Sequence, residues 1–520
     1  MPACSPLSLP PARPDGLPGG PGGGATLAPH GAAHRRAGRP AATLVIALAS
    51  QLVGVAGASA SPRTDPTSGR AVFTGATSTH ATSLYLNPAT LGLETGLRVY
   101  LAGTLTVDQE HIDRQLEDSS GALADGRSIS DLRAHGGGEL LVSWLPSERI
   151  AVGMGIRSAP AEGFWSGGGA AFHSLGGDQR DYDFTFAGTF RVSSRFYFGT
   201  ALSLSSSLLP DLISDPLHVR SALRVSFARD TAIATGTPGL MSSCGEAACG
   251  VGNPEATERY QLDVSPSTLL SSLILGFVVR LGTETYLGLS YHTPPGFSVQ
   301  SSLDGTVTMT QAPRDGGLTL RGDASIDISY PASVEAAVST PLPRETTLVA
   351  GLRWEDTSRL AVYDVRMHGS QLAARGVPEW IRRARGLRDS VAMWAGVEQR
   401  ERETWRLGGR LGFERGAVAH EHLSPSNNSP SSLTLDLGAQ WRTRGSRWAV
   451  QLGYGLAYFL PASVTDSAYS VRNQIDCVDS GYDYASRACR ATRSGYGIET
   501  AAGDYDRLQH AFRLGLRYER

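Results

Sequence analysis

Much of the chain beyond residue 95 alternates apolar residues with polar or small ones, in stretches of about ten residues. Clear examples are residues 433–442, 448–458 and 512–518. A period of two is the spacing of a β-strand whose two faces meet different surroundings. The pattern predicts many strands, each with one apolar face and one polar or small face.

The segments between these stretches are alternately short and long. The short ones are turns at 146–149, 193–195, 282–283, 341–344, 400–403 and 443–446. The long ones cover roughly 108–135, 159–179, 208–267, 294–323, 368–388, 414–431 and 460–507. Tight turns at one end and long loops at the other are typical of an outer-membrane barrel. The sequence therefore predicts an all-β fold, a transmembrane antiparallel β-barrel of about fourteen strands with its short turns in the periplasm.

Several aromatic residues lie within a few positions of the predicted short turns. They are Trp144, Tyr197, Trp405, Trp441 and Trp448. Such rings are stable at the headgroup depth of a membrane, because they are partly apolar and partly polar. We therefore predict an aromatic belt at this edge of the barrel.

The first 60 residues have the composition of a leader rather than of a folded domain. Residues 1–33 are rich in Pro and Gly, residues 34–39 are basic, and residues 41–56 are mostly apolar. Ala-Ser-Ala at 58–60 has the form of a signal-peptidase site. We expect a signal peptide that is cleaved after Ala60. An uncleaved membrane anchor is the alternative, and the short, Ser- and Gly-broken apolar stretch argues against it.

Two pairs of nearby cysteines remain after this cleavage. They lie in Gly-, Asp- and Ser-rich segments, CGEAAC and CVDSGYDYASRAC. In an oxidising compartment such pairs close short loops, so we predict the disulfides Cys244–Cys249 and Cys477–Cys489. A zinc site is the alternative, but the spacing differs from that of paired C-x-x-C ligands.

Four stretches resemble the FadL/TodX family of outer-membrane transporters for long-chain fatty acids and other hydrophobic compounds. HATSLYLNPATLG (80–92) resembles the hatch segment of the family, and LGLSYHTPPGFSVQSSLDGTV (287–307) resembles one of its strands with the following outer segment. Residues 324–360 and 403–442 are similar to two of its strand pairs. The resemblance spans most of residues 69–520, and it rests on the order and spacing of the stretches.

The resemblance implies a barrel closed by an N-terminal hatch or plug, with Asn87, Pro88 and Ala89 as gate residues. Pro88 fixes its own φ and biases Asn87 away from a helical conformation, so the chain can turn here without strand pairing. On local grounds alone, a simple Asx-Pro turn before the first strand is the alternative. The expected organisation is a leader and signal peptide at 1–60, a hatch or plug at 61–95 and an outer-membrane barrel at 96–520.

Two features depart from the family pattern. The segment between the expected cleavage site and Asn87 is short for a plug of this family. The last residue is Arg520 rather than an aromatic residue, although Tyr518 lies two positions before it. The terminal residue bears on recognition by the barrel-assembly machinery, which we expect as a partner.

Charged residues occupy several positions that are predicted to face into the barrel: Arg157, Arg406, Arg410, Asp436, Arg442 and Arg513. An inward Arg can meet a carboxylate ligand, but pairing with acids of the barrel or plug is the favoured role. The apolar residues of 208–267 are spaced for short helices, and we interpret this segment as an extracellular lid. The basic segment at 378–390 can contact lipopolysaccharide or simply face solvent.

The sequence argues against catalysis and against nucleic-acid binding. A formal net charge of -2 gives no basic-patch argument for nucleic-acid binding. His420, Glu421 and His422 have no further ligand nearby, and Ser290 with His292 does not make a catalytic site. We therefore predict a protein that is not an enzyme and holds no metal or cofactor.

The function predicted from the sequence is uptake of long-chain fatty acids or other hydrophobic compounds across the outer membrane of a Gram-negative-type bacterium. The alternatives are a general diffusion porin and a structural or adhesive barrel. The expected partners are hydrophobic small molecules and outer-membrane lipids with lipopolysaccharide, and a monomer is expected. The residues that contact the ligand are not identified by the sequence.

Overall fold

The computed structural model describes residues 71–117, 123–158, 162–164, 176–180, 182–205, 222–230, 257–266, 270–294, 301–311, 318–374, 379–399, 404–425, 427–468 and 501–520. Fourteen antiparallel strands close into a barrel, and the last strand pairs with the first. These strands are β1 (Gly96–Glu117), β2 (Leu123–Leu145), β3 (Ile150–Ser158), β6 (Tyr182–Arg191), β7 (Phe196–Ser205), β10 (Leu270–Arg280), β11 (Tyr286–His292), β14 (Ser333–Leu342), β15 (Thr346–Glu355), β18 (Ser390–Gln399), β19 (Trp405–Glu414), β20 (Ser432–Arg442), β21 (Trp448–Val464) and β22 (Gly503–Glu519). The predicted fourteen-stranded antiparallel barrel is confirmed.

Five of the six predicted short turns join neighbouring barrel strands at one end of the barrel, and the sixth, 400–403, lies outside the described residues. The long loop predicted at 108–135 is wrong, because β1 and β2 continue through it and pair as far as Glu117 and Leu123. The apolar alternation stops in this part of the hairpin, where polar residues such as Asp113 and Ser128 occur opposite each other. Backbone pairing needs no apolar face, so the strand pair continues where the sequence pattern ends.

Four of the long connections form hairpins that join into a second antiparallel sheet. Its eight strands lie in the order β17-β16-β13-β12-β9-β8-β5-β4. They are β4 (Glu162–Phe164), β5 (Gly176–Arg180), β8 (Ala222–Asp230), β9 (Thr257–Pro266), β12 (Ser301–Gln311), β13 (Leu318–Ile328), β16 (Val362–His368) and β17 (Trp380–Ala384). One face of this sheet forms an apolar core that includes Tyr260, Leu262, Val307, Ile326 and Val365.

The interpretation of 208–267 as short helices is wrong where the structure describes that segment. Residues 222–230 and 257–266 are the strands β8 and β9, which pair with each other. Leu223, Val225 and Phe227 alternate with polar or small residues in the sequence, which is the period of a strand. The remainder of 208–267 outside these strands lies beyond the described residues.

The described helices are short. They are an α-helix at Ser83–Leu86, a 3₁₀-helix at Pro88–Leu93, a 3₁₀-helix at Thr357–Leu360, an α-helix at Ser370–Ala374 and a 3₁₀-helix at His420–His422. Within the described ranges, no helix has the length and apolar character needed to cross a membrane.

The outer surface of the barrel is apolar. Its outward residues include Val152, Phe186, Leu289, Leu411 and Leu514, and the exposed fractions of Leu411 and Leu514 are 67% and 59%.

The predicted aromatic belt is found in part. Four tryptophans near the short turns point outward and are about half exposed: Trp144, Trp405, Trp441 and Trp448. Tyr197 was expected beside them but faces inward and is 5% exposed. It shares its strand face with Gly199 and Ala201, whose side of β7 faces the lumen, so the register of β7 turns its ring away from the belt.

Candidate functional site

Residues 71–93 lie inside the barrel, and we call them the plug. Their apolar side chains Leu84, Tyr85 and Leu91 are buried against wall residues that include Leu141 and Ile274. The contacts of the 3₁₀-helix Pro88–Leu93 with β6, β7 and β10 place it against one side of the wall. The plug therefore occupies the lumen of the barrel.

Asn87 ties the plug to itself and to the wall. Its Nδ2 donates to the carbonyl of Ala76 at 2.7 Å and to the carbonyl of Phe277 at 3.2 Å. Its Oδ1 accepts from the backbone N–H of Ala89 at 3.2 Å, which caps the 3₁₀-helix that begins at Pro88. The side chain is fully buried. The Asn-Pro-Ala sequence thus sets both a turn within the plug and its contact with β10.

Glycines on the inner face of the wall make room for this turn. A Cβ at Gly199 would lie 2.3 Å from the amide nitrogen of Ala89, and a Cβ at Gly276 would lie 2.2 Å from Oδ1 of Asn87. A Cβ at Gly288 would lie 2.1 Å from the carbonyl oxygen of Ala76. These glycines lie on the adjacent strands β7, β10 and β11. Here the plug backbone rests directly on the wall backbone, which only glycine permits.

The opposite side of the wall has similar glycines for the start of the plug. A Cβ at Gly438 would lie 2.7 Å from Cβ of Val72, and one at Gly408 would lie 2.4 Å from Cγ1 of the same residue. At Gly153, on β3, the nearest atom would be Cδ1 of Leu84 at 2.7 Å. The plug is thus seated on glycines around much of the barrel.

Two wall carboxylates hold the first turns of the plug. Glu398 Oε1 accepts from the backbone N–H of Phe73 at 3.0 Å, and Glu335 Oε1 accepts from that of Ala76 at 3.1 Å. Arg410 donates to the carbonyl of Thr74 at 2.7 Å and also bonds to Glu398. These contacts fix residues 71–78 to the wall, and those of the Glu398–Arg410 ion pair are strong because hydrogen bonds to ionised groups are stronger than neutral ones.

His80 joins the plug to the facing wall. Its Nε2 lies 3.1 Å from Oε1 of Gln451, and its Nδ1 lies 3.0 Å from Oγ1 of Thr82. Because the Gln451 oxygen only accepts, Nε2 carries the proton and Nδ1 is the acceptor. Burial, with Arg517 and Arg513 nearby, holds the pKa of His80 well below its usual value. The imidazole in this position is therefore neutral.

Tyr85 and Leu86 contact the wall at the outward surface of the plug. The Tyr85 hydroxyl donates to Glu139, which also pairs with Arg513. The guanidinium of Arg157 lies 4.5 Å above the Tyr85 ring. His292 Nε2 lies 3.1 Å from the carbonyl oxygen of Leu86 and donates to it. His292, a strand-end residue in the sequence analysis, is thus a plug contact.

A cavity of about 80 Å³ lies on this outward surface of the plug. It is lined by Tyr85, Leu86, Arg157, Asp183, Ser203, Ser272, Ile274, His292, Pro331, Ser333, Glu335, Arg353 and Glu355. Tyr85 and Leu86 belong to the plug, and the other lining residues belong to the wall and to the connection before β14. Glu335 and His292 both line this cavity and hold the plug backbone.

The inward charges predicted from the sequence do lie on the lumen side, and the arginines among them pair with acids. Arg157 Nη2 is 2.6 Å from Oδ2 of Asp183, and Arg406 Nη2 is 3.0 Å from Oε2 of Glu398. The other predicted arginines pair as follows: Arg410 with Glu398, Arg513 with Glu139, and Arg442 with Glu519. The predicted acid, Asp436, is buried in the lumen. The favoured role of these arginines, pairing with barrel acids, is confirmed.

Several contacts of the plug were not found by sequence analysis. His80 and Glu335 lie in stretches that resemble the family, but nothing in the sequence distinguishes these two residues or Glu398 as plug contacts, and the wall glycines have the composition of an ordinary barrel strand. Their position relative to the plug depends on strand register, which one sequence does not fix. The predicted disulfides at Cys244–Cys249 and Cys477–Cys489 lie outside the described residues, as does the expected cleavage after Ala60. The residues His420, Glu421 and His422 form a short 3₁₀-helix in which His420 Nε2 bonds to the carbonyl of Ser463 at 2.8 Å.

Solved structures with a similar fold include a FadL homologue and two toluene transporters. A Pseudomonas aeruginosa FadL homologue matches with a TM-score of 0.66 and 13% identity, over 87% of this chain and 97% of that one. The Pseudomonas putida toluene transporter TodX matches with a TM-score of 0.54 and 12% identity, over 90% and 99% of the two chains. The Ralstonia pickettii toluene transporter TbuX matches with 0.51 and 14%, over 89% and 98%.

No family model and no curated protein matches the amino-acid sequence. The family resemblance noted in the sequence is therefore carried by the structure, over most of the chain and at low identity. By its closed fourteen-stranded barrel, the chain shares the fold of the FadL and TodX channels.

Proposed function

We propose that this protein is an outer-membrane channel for the uptake of hydrophobic compounds, long-chain fatty acids among them, and that it is not an enzyme. The observation that carries the proposal is the plug, residues 71–93, which fills the lumen and is held there by buried polar contacts. A cavity lies on its outward surface. Such an arrangement holds a solute above a barrier that must move before the solute can pass.

The apolar outer face of the barrel supports the proposal that the protein lies in the outer membrane. Its exposed leucines, valines and phenylalanines form an apolar surface that water does not favour, and the tryptophans near the short turns have the amphipathic character of interface residues. With every barrel strand paired on both sides, the backbone amides within the wall are satisfied in hydrocarbon. The short turns then lie on the periplasmic side.

The filled lumen favours a gated channel over a general diffusion porin. A porin needs an open, wet lumen, whereas here wall glycines fit the plug backbone closely. We assign Asn87, Pro88 and Ala89 as gate residues, because the turn they make is seated on Gly199 and Gly276. Displacement of this turn breaks a small set of hydrogen bonds and no covalent link.

A reversible crosslink between plug and wall tests the proposal. Val72→Cys with Gly438→Cys suits it, because Cβ positions at these two residues lie 2.7 Å apart, and a small shift reaches the 3.5–4.5 Å span of a disulfide. We expect a Gram-negative host that lacks its own channel to grow on a long-chain fatty acid when it makes the unmodified protein. The oxidised double variant should abolish this growth, and a reductant should restore it.

The single variant Val72→Cys is the matched control, since it cannot form the crosslink, and the reduced double variant is the reference for any loosening of the plug that a cysteine at Gly438 causes. Mass spectrometry of the plug peptide verifies the bond in each sample. Growth that is equal with the oxidised and reduced double variant would contradict a mobile plug. Lack of growth with the unmodified protein on fatty acid, alkane and toluene alike would contradict the transport function.

The remaining expectations from the sequence belong to the same proposal. They are a cleaved signal peptide at 1–60, a hatch at 61–95, disulfides at Cys244–Cys249 and Cys477–Cys489, a monomeric barrel, and contacts with lipopolysaccharide and the barrel-assembly machinery. Each fits a protein that is exported and folded into the outer membrane.

A further inference from the structure

The short turns at one end of the barrel are rich in arginine. Each of the five described turns contains an arginine or directly follows one, and together they supply Arg149, Arg195, Arg280, Arg344, Arg444 and Arg447. The carboxylates in the same turns are fewer, namely those of Glu148, Glu284 and Glu345. Successive turns around the wall are two strands apart, which is about 10 Å. Positive charge is therefore spread at intervals around this end of the barrel.

Four of these arginines are exposed, and their guanidinium groups have no partner among the described residues. They are Arg149, Arg195, Arg344 and Arg447, and we call them the basic ring. Arg280 differs from them, because its Nε donates to the carbonyls of its own turn, to Gly282 at 3.0 Å and to Thr283 at 2.8 Å. The guanidinium groups of the basic ring are thus available to an anion from outside the chain.

The basic ring borders the apolar outer surface of the barrel. Arg149 is followed directly by Ile150, and Arg447 is followed directly by Trp448, and both of these neighbours point outward and are about half exposed. A strand rises about 3.3 Å per residue, so these arginines lie at the edge of the apolar surface. A long arginine side chain at such an edge can place its charge at headgroup depth.

This position favours an anion that carries acyl chains. A guanidinium group binds a phosphate through two parallel N–H···O hydrogen bonds. A soluble anion would use the charge alone, whereas a phospholipid meets both features, with its phosphate at the basic ring and its chains along the apolar wall. The headgroup of an anionic phospholipid has no cation of its own that competes for the phosphate. Each arginine near an anionic lipid surface strengthens binding by about fivefold.

We propose that the basic ring binds the phosphates of anionic phospholipids, of which phosphatidylglycerol is the simplest, in the leaflet that surrounds the short turns. The inference rests on the proposed membrane location of the barrel and not on the solute that the channel carries. The bound lipids form a shell around the periplasmic mouth and hold this end of the barrel at headgroup depth.

Native mass spectrometry of the refolded full chain in a non-ionic detergent tests this inference. The chain is titrated with phosphatidylglycerol and with phosphatidylcholine that has the same acyl chains, so that only the headgroup differs. We expect phosphatidylglycerol to bind at least about fivefold more tightly. The double variant Arg195→Gln with Arg447→Gln should lose the tightly bound phosphatidylglycerol of two turns and leave the binding of phosphatidylcholine unchanged.

Arg321→Gln with Arg415→Gln is the matched control. Both are exposed arginines without a partner among the described residues, and they lie in the connections at the opposite end of the barrel. The control removes the same charge and should keep all of the bound lipid. A further variant, Arg344→Asn, removes a charge without harming its turn, because Arg344 has a φ of 65°, which asparagine adopts more readily. It should lose the lipid of one turn.

Equal affinity of the unmodified chain for the two lipids would overturn the inference, as would an equal loss of phosphatidylglycerol in the two double variants. Sedimentation with purified peptidoglycan tests the other anionic partner. Co-sedimentation that depends on Arg195 and Arg447, without a preference for phosphatidylglycerol, would assign the basic ring to peptidoglycan carboxylates instead. None of these measurements includes a transported solute, so the growth test with the plug crosslink decides the transport proposal separately.

Discussion

At the scale of single residues, we expect substitution of Asn87 to loosen the plug, because this side chain bonds both to the plug and to the wall. Asn87→Ala removes two donated hydrogen bonds and one accepted bond while leaving their partners buried. Loss of such partners costs about 1–3 kcal/mol, so we expect the fraction of time that the channel is open to rise roughly 5- to 150-fold in bilayer recordings. Asn427→Ala is the control, because Asn427 is a buried asparagine that bonds a backbone carbonyl outside the plug. An equal effect of both substitutions would contradict the role of Asn87.

His80 makes the seating of the plug sensitive to pH. Its pKa is held well below the usual value by burial and by Arg517 and Arg513, so the displaced plug binds a proton more readily than the seated one. The stabilisation is fully present above the ordinary histidine pKa of about 6.5, and it is lost as the pH falls below that value toward the lowered pKa. We therefore expect more channel opening in bilayer recordings at pH values below about 6.5, by at most about tenfold per pH unit for this one group.

His80→Gln should remove most of this dependence, since a glutamine can still bond to Gln451 but does not titrate. His111→Gln is the matched control, because His111 lies on β1 and its side chain is 46% exposed. If His80→Gln left the pH dependence as steep as in the unmodified protein, another group would be responsible.

The sequence indicates some of these residues and not others. Asn87 and Pro88 form a local turn signal, so their conformation could be predicted from the residues themselves. Glu335, Glu398 and His80 matter through partners that are far away in the chain, such as Ala76 and Gln451. Such pairs depend on the register of the wall and on the path of the plug, and neither follows from composition or period.

At the scale of elements, the fit between wall strands and plug is set by glycines. Gly199→Ala on β7 would place a methyl carbon 2.3 Å from the amide nitrogen of Ala89, which neither backbone can avoid without moving. Overpacking of this kind costs about 1–3 kcal/mol. We expect the plug to be displaced, which raises the ion conductance in planar bilayers and increases proteolysis of residues 71–93.

Gly188→Ala is the matched control on the neighbouring strand β6. A Cβ at Gly188 has no atom within 4 Å, and the residue alternates with the inward-facing Ala187 and Thr189. The same substitution there should leave conductance and proteolysis unchanged. An equal response of the two variants would mean that alanine disturbs the barrel itself rather than the seat of the plug.

The elements that the sequence predicted are those with a clear contrast between two faces. The parts of the barrel strands near the short turns separate an apolar outer surface from the lumen. Their sequences therefore alternate with a period of two, as at Leu435, Leu437 and their neighbours. The outer half of the hairpin β1–β2 lacks this contrast, and its strands were predicted as a loop. The strands of the eight-stranded second sheet do have one apolar face, but they lie inside the long segments between barrel strands, which were predicted as loops or helices.

At the scale of the whole molecule, the barrel and its plug together form a closed structure. The wall supplies the apolar outer surface, the glycine seats and the polar ties, and residues 71–93 supply the obstruction. Further apolar contacts among Ile112, Val418, Leu423 and Tyr505 join β1 and β22 to the outer connections above the plug. In the proposed channel, a solute that reaches the cavity meets the plug as the barrier on its way to the periplasm.

The central claim is that residues 71–93 close the lumen. The direct measurement is single-channel conductance in a planar bilayer of the full chain and of a variant that lacks residues 71–93, with circular dichroism to verify the β-barrel of both. The account predicts a nearly closed full chain and a steady, much larger ion conductance after the deletion. Equal conductance of the two proteins, whether large or near zero, would contradict a plug that gates this channel.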